Sequence, residues 1–186
     1  MKPSLVVIGL GNPGASYERT RHNAGFLAID ALSKECGQGE WKDVAKFQAL
    51  TQEARIVTVP VLLVKPLTFM NLSGQSIRKI VDFYKLDASK QILVCCDEID
   101  IPLGTYRLKH QGSPGTHNGL KSVAEQFGEA YPRLRIGVGP KPAGADLANW
   151  VLSTPSPADW KQLTGVIASL PQAVKEFVMD GRTGED

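Results

Sequence analysis

Four polar islands in this chain carry the residue types that hydrolytic chemistry uses: Asn12, then Arg21-His22-Asn23, then Thr68 to Gly74, and finally Asp97-Glu98 together with His117-Asn118. The chain has three histidines, His22, His110 and His117, and imidazole is the side chain suited to general-base work near neutral pH. His22 lies in a polar stretch beside the loop after the first apolar run, which makes it the candidate base. Asp97 directly follows the apolar run Ile92 to Cys96, so its carboxylate is expected at the edge of a sheet, over a cleft. There it could orient and charge-stabilise an imidazole. Asn12, Asn71 and Asn118 supply amides that hold a carbonyl, a water or an oxyanion without adding charge. The chain has no G-x-S-x-G elbow, and Cys95 and Cys96 close a run expected to be buried. That pattern points to a water nucleophile activated by histidine. Three scattered histidines without H-E-x-x-H spacing do not make a metal site, so neither metal nor cofactor is expected. Each residue also has a structural alternative. His22 could be a hydrogen-bonded structural residue, Asp97 a turn or cap, and Asn12 before Pro13 a simple turn. Asn71 could cap a helix, and Asn118 could sit in a helix's first turn.

Gly9, Gly11 and Gly14 follow an apolar run in a G-x-G-x-x-G pattern, which raises dinucleotide binding as a competing function. A dinucleotide site needs an amphipathic helix directly after the glycines, then a second strand with an acidic end. Here Ala15 to Asn23 has no apolar face, and Asp30 falls inside a helical pattern. Pro13 also has no N–H to offer a pyrophosphate. Glycines that merely turn the chain account for the pattern.

The elements that must position these groups alternate. A strand is expected from Leu5 to Leu10, continuous in apolar residues and so buried on both faces. A helix is expected over 26–36, stopped by Gly37. Two β-rich runs come next at about 44–50 and 55–65, the second interrupted by Pro60. Ser73 is expected to cap a helix with Ile77, Ile80, Val81 and Tyr84 on one face. Further strands are expected over 92–96, 106–108 and 134–139, with a Gly/Ser/Pro loop between Lys109 and Thr116 and a helix opened by His117-Asn118. A C-terminal helix over about 157–179 precedes a polar tail expected to fray; residues 181–186 are its end. The pattern is that of a single α/β domain over 1–186, a sandwich whose mixed, largely parallel twisted sheet is flanked by helices. A net charge of +2 is too small to argue for nucleic acid by itself, so any such site must be a local basic patch. Three cysteines form no disulfide framework or C-x-x-C pair, Met1 to Ser4 enter a strand without a signal-peptide core, and no run is long enough to span a bilayer. A cytoplasmic monomer that keeps away from membranes is therefore expected.

Taken together, Gly-Leu-Gly-Asn12-Pro-Gly, Thr-Arg-His22-Asn-Ala-Gly, Pro-Leu-Thr-Phe69-Met-Asn71-Leu-Ser-Gly, Asp97-Glu-Ile-Asp and Gly-Ser-Pro-Gly-Thr-His-Asn118-Gly-Leu-Lys resemble the bacterial-type peptidyl-tRNA hydrolase family. The strand Arg133 to Gly139 is similar as well, and the likeness runs from about residue 4 to about 181, with the motifs in the family's order. The resemblance implies hydrolysis of the ester between a peptide and the 3′-terminal ribose of tRNA, with peptidyl-tRNA as the partner and without a covalent intermediate. By that resemblance His22 is the general base, Asp97 keeps it basic and oriented, and Asn12 helps to distinguish N-blocked esters from free aminoacyl esters. Tyr17, Phe69, Met70, Asn71 and Asn118 would line the crevice for the acyl-tRNA end, Asn118 also steadying the water. Lys109 and Arg135 correspond to the family's clamp on tRNA phosphate.

Two features depart from the family pattern. The family continues past Asp180-Gly181 with a basic helical tail, whereas residues 176–186 carry Glu176, Asp180, Glu185 and Asp186 against Arg182. If that tail grips tRNA, a weaker grip is expected here. The loop from Gln111 to Gly115 carries Pro114, which bears on how it closes over the site. A non-catalytic RNA-binding relative is the other class to weigh; the intact His22, Asp97 and Asn12 argue against it, and ester turnover separates the two.

Overall fold

The run from Leu5 to Leu10 lacks a polar face because helices cover both sides of it. In the computed structural model, which describes residues 1–183, β1 (Leu5–Gly9) is the middle strand of a seven-stranded sheet in the order β2-β3-β4-β1-β5-β7-β6. Its neighbours β4 (Val59–Pro66) and β5 (Ile92–Pro102) run parallel to it, and β7 (Arg133–Gly139) runs parallel to β5. The outer strands β2 (Gly37–Val44), β3 (Ala49–Ile56) and β6 (Tyr106–Lys109) pair antiparallel, so the sheet is mixed around a parallel centre.

Strand side chains alternate between faces. Leu5 and Val7 therefore join α1 (Ala24–Cys36) and α6 (Pro157–Thr183) in one core, with Ile29, Leu32, Leu163 and Leu170. Val6 and Ile8 join α2 (Ser73–Tyr84) and α4 (Asn118–Phe127) in the other, with Ile77, Ile80, Leu120 and Val123. Two short helices, α3 (Ala88–Gln91) and α5 (Leu147–Val151), complete the elements. Among the described residues no helix is long and apolar enough to cross a membrane. Helix α6 continues through Asp180 to Thr183, into the segment expected to fray; residues 184–186 of that tail lie outside the described residues.

The structure corrects the β-rich stretch between the first two helices. The run 44–50 is not one strand: β2 ends at Val44, a 3-10 turn spans Ala45–Phe47, and Gln48 takes a left-handed conformation (φ 50°) before β3 begins. β2 carries little apolar signal because it is an edge strand, mostly exposed and bulged between Gln38 and Lys42. Gly37 thus stops the helix and also opens a strand. The run 55–65 divides into the end of β3 and β4, joined at Val57-Thr58, and Pro60 sits near the start of β4, where pairing with β1 has not yet begun. Ser73 is not a cap either: Leu72 occupies the N-cap position, and the Ser73 hydroxyl donates to the Met70 carbonyl at 2.8 Å. The 3-10 turn Met70–Leu72 runs straight into the helix, and Ser73 is itself helical (φ −55°, ψ −38°), whereas an N-cap residue is not.

A close backbone approach sets the position of α1 on the sheet. A Cβ on Gly9 would strike the Gly25 carbonyl, and a Cβ on Gly25 would strike the carbonyls of Cys95 and Leu10. The two glycines let the start of α1 lie directly on β1 and β5, and His22 is carried by the turn just before that helix. Gly25→Ala is expected to destabilise the protein by ~1–3 kcal/mol, the usual cost of forcing an extra methyl into a packed contact. Chemical denaturation of the variant checks this; an unchanged midpoint would mean that the backbone contact is not needed.

Candidate active site

The parallel centre of the sheet ends where the polar islands begin. Asn12 follows β1, Phe69 to Asn71 follow β4, and Asp97 lies in β5, two residues beyond the Cys95 that pairs with Gly9. This is the carboxyl edge of a parallel sheet, where α/β proteins expose functional groups. Expected at the strand's end, Asp97 is instead interior to a longer strand, since β5 continues to Pro102 alongside β7.

His22 and Asp97, 75 residues apart, meet here. His22 Nδ1 lies 2.9 Å from both carboxylate oxygens of Asp97, and the two residues are 8% and 1% exposed. The turn holding His22 is tied down by its neighbour: Arg21 donates to the Ser153 hydroxyl at 2.7 Å and stacks on Trp150, 4.4 Å from the ring centre. Burial alone would lower the His22 pKa, but the charge and hydrogen bond of Asp97 outweigh it and the net shift is upward. Burial would likewise raise the Asp97 carboxyl, yet the facing imidazoles hold it well below the usual carboxylate range. With Nδ1–H donated to an ionised carboxylate, the lone pair of His22 falls on Nε2, the atom a general base needs.

Asn12 is held by three hydrogen bonds. Its backbone N–H donates to Asn23 Oδ1 at 2.8 Å, its carbonyl accepts from Asn23 Nδ2 at 2.9 Å, and its Oδ1 accepts the Met70 N–H at 2.8 Å. Because Met70 N–H is a donor, the amide oxygen of Asn12 must face it, which leaves Nδ2 as the donor end of the amide. Asn12 is therefore more than a turn residue. Met70 is itself buried, while Asn71 is exposed in the 3-10 turn. Phe69 is half exposed at φ 63°, a backbone conformation unusual for an aromatic residue, and lies edge-on to Tyr17 at 6.4 Å between ring centres. Such strain in an exposed aromatic residue suits a group presented to a ligand.

On the other side of the carboxylate, His117 is the N-cap of α4 and Asn118 its first residue, exposed to solvent. His117 Nε2 lies 2.8 Å from Asp97 Oδ1, and its ring centre is 4.8 Å from that of His22. Lys109 ends β6 and is exposed, whereas Arg135 is partly buried and 3.9 Å from Glu98 Oε1. Since Lys109 pairs with Arg133 and Arg107 with Arg135, Lys109 and Arg135 lie diagonally on one face of the β6–β7 pair. The structure thus brings His22 and His117 onto Asp97, ties Asn12 to Met70 and Tyr17 to Phe69, and sets Lys109 and Arg135 on the neighbouring β6–β7 pair.

Two members of the site, each inside a polar island, do not stand out there by a role of their own. Asn23 clamps the backbone of Asn12, and His117 shares the carboxylate. Both stand next to residues that do, His22 and Asn118, and that adjacency is the available signal. Among the described residues, His22, Asp97 and His117 offer possible ligand atoms within 4.8 Å of one another. His117 Nδ1 already accepts the Leu120 N–H, however, so a metal on Nε2 would force a proton onto Nδ1, against that donor. The trio is arranged as a hydrogen-bonded unit. No cysteine competes as nucleophile: Cys95 is fully buried with its thiol pushed up to about 12, and burial raises Cys96 as well.

Fold and site together define an α/β protein with a buried histidine–carboxylate pair at the carboxyl edge of its sheet and a set of asparagines around it. Comparison with known proteins narrows this class. A family profile described as peptidyl-tRNA hydrolase matches residues 6–185. The peptidyl-tRNA hydrolase of Alkaliphilus oremlandii is 49% identical over 177 residues, covering 95% of this chain and 94% of the relative. That of Fusobacterium nucleatum is 42% identical over 173 residues, covering 93% and 88%. The crystal structure of peptidyl-tRNA hydrolase from Acinetobacter baumannii superposes with a TM-score of 0.89 at 33% identity, covering all of this chain and 93% of that one. The chain belongs to the peptidyl-tRNA hydrolase family.

If the Asp97 charge is what raises His22, removing it has a fixed sign. Asp97→Asn is expected to lower the His22 pKa, so the acid limb of the pH–rate profile moves to lower pH. The plateau should fall by about 10²–10⁴-fold as the imidazole loses its orientation. A pH profile of turnover checks both; a limb that stays in place would separate His22 from Asp97.

Proposed function

We propose that this protein hydrolyses the ester joining a peptide's C-terminal carbonyl to the 3′-terminal ribose of tRNA, with water activated by His22 and without metal or covalent intermediate. The observation that carries this reading is the buried 2.9 Å contact of His22 Nδ1 with Asp97, which leaves Nε2 as the base. In the proposed reaction, Nε2 takes a proton from water as its oxygen attacks the acyl carbonyl. The tetrahedral intermediate then collapses, and the ribose 3′-oxygen leaves with the proton held by His22. The products are a free peptide acid and a tRNA ready for recharging. An activated ester is already labile, so placing water, base and carbonyl together supplies much of the acceleration.

The other residues have roles that fit their surroundings. Asn12 Nδ2, its oxygen committed to Met70, can donate to the carbonyl of an N-acyl group, which a free aminoacyl ester lacks. Asn118, at the N-terminus of α4, steadies the water or the developing oxyanion. Tyr17 and Phe69 offer stacking surfaces to unpaired bases at the tRNA end, alongside Met70 and Asn71. Lys109 and Arg135 grip phosphate on the β6–β7 edge. So few phosphate contacts are compatible with a net charge of +2.

The test is turnover of N-acetyl-aminoacyl-tRNA beside the unblocked aminoacyl-tRNA. The wild type should cleave the blocked ester preferentially, and His22→Ala should lose about 10²–10⁴-fold in rate while remaining folded. Near-wild-type turnover by the variant would remove His22 as base. Equal cleavage of the two esters would remove Asn12 as the discriminating residue.

A further inference from the structure

His117 is an odd choice for a helix cap. Its Nδ1 accepts the Leu120 N–H at 3.1 Å, a job that serine, threonine, aspartate or asparagine does with a shorter and less constrained side chain. Imidazole differs in having a second ring nitrogen on the opposite side. Because Nδ1 is an acceptor, the ring proton sits on Nε2, which therefore donates to Asp97 Oδ1 at 2.8 Å. The ring cannot tilt freely. Gly119 keeps open the space beside it, since a Cβ there would crowd His117 Cε1 and Met70 Sδ. His117 is 8% exposed and faces His22 at a 50° ring angle across the shared carboxylate.

We propose that His117 is a positioning residue for the reaction: it fixes the rotation and charge of Asp97 from the N-terminus of α4, and so sets the strength with which Asp97 acts on His22. This rests on His22 being the base. Asp97 Oδ1 is shared by the two imidazoles, so the hydrogen bond from His117 takes up part of the carboxylate's charge and leaves a weaker pull on His22. It also mechanically links α4, whose first residue is Asn118, to the imidazole that must deprotonate the water. The other charged group beside this spot is Glu98 on β5, which is itself engaged by Arg135 on β7 and lies near Asp100. Arg21, from the His22 turn, directs its guanidinium away toward Trp150 and Ser153.

The experiment compares His117→Asn and His117→Ala with wild type, using N-acetyl-aminoacyl-tRNA and a pH profile of kcat/KM. Asparagine retains the cap on Leu120 N–H but, held there, cannot also reach Asp97; alanine loses both. With the donor gone, Asp97 pulls harder on His22, so the acid limb should move to higher pH by roughly half a unit or more in both variants. The plateau should fall roughly ten-fold or more as the carboxylate loses its second anchor. His117→Asn, which keeps the cap, should lose less Tm than His117→Ala. An asparagine variant with wild-type limb and plateau would overturn the proposal and leave His117 as a cap alone. So would an alanine variant whose loss of rate is matched by loss of fold while its limb stays put. Absence of turnover in the wild type itself would instead count against the ester-hydrolase reading.

Discussion

A buried carboxylate that must remain charged is the constraint around which this molecule is built. Asp97 lies in the middle of a strand, 1% exposed, in surroundings that would by themselves favour its neutral form. Two imidazoles make the charge tolerable, His22 from the turn before α1 and His117 from the cap of α4. The helices lie on opposite faces of the sheet, so the carboxylate joins the two layers through one side chain. The balance has a cost for the proposed reaction. With a raised His22 pKa, the protonated pair stabilises the fold below the imidazole's unfolded value, and that contribution is lost as pH rises through the folded value. The form of His22 able to act as a base is thus the less stabilised one.

The sheet places these groups by means visible in its backbone. The glycine contact between β1 and α1 brings the His22 turn within reach of β5. The strand ends of β4 and β1 are tied by the Met70 N–H to Asn12 Oδ1 bond, and Asn23 locks Asn12 from the other side. His22 and Asn23, adjacent in the chain, therefore hold Asp97 and Asn12 in fixed relation. Arg21 anchors the same turn to α5. Three consecutive polar residues, each buried, serve three different neighbours.

How much of this can be read from sequence depends on how local the cause is. The central strands and both sheet-covering helix pairs are legible because two-sided burial leaves continuous apolar runs and amphipathic faces. His22 and Asp97 stand out because each is a titratable residue directly after or beside an apolar run, His22 in the polar stretch after the first and Asp97 immediately after Ile92 to Cys96. β2 does not stand out, since an exposed, bulged edge strand keeps a polar sequence. The run 44–50 misleads because its alternation crosses a 3-10 turn and a left-handed Gln48. Ser73 misleads because a cap must itself be non-helical, and the 3-10 turn before it already carries Ser73 into helical conformation. The double use of His117 is not written in any local pattern: its two partners are 3 residues ahead and 20 behind, and the bridge exists through the ring's width.

The proposed chemistry turns on Asp97 fixing the tautomer of His22, with the proton on Nδ1 and the lone pair on Nε2. Nitrogen-15 NMR of the His22 side chain, recorded above its titration, reads that tautomer. The expected spectrum shows a protonated Nδ1 and a bare Nε2, with this preference abolished in Asp97→Ala. A proton found on Nε2, or a wild-type ring that populates both tautomers equally, would refute the assignment.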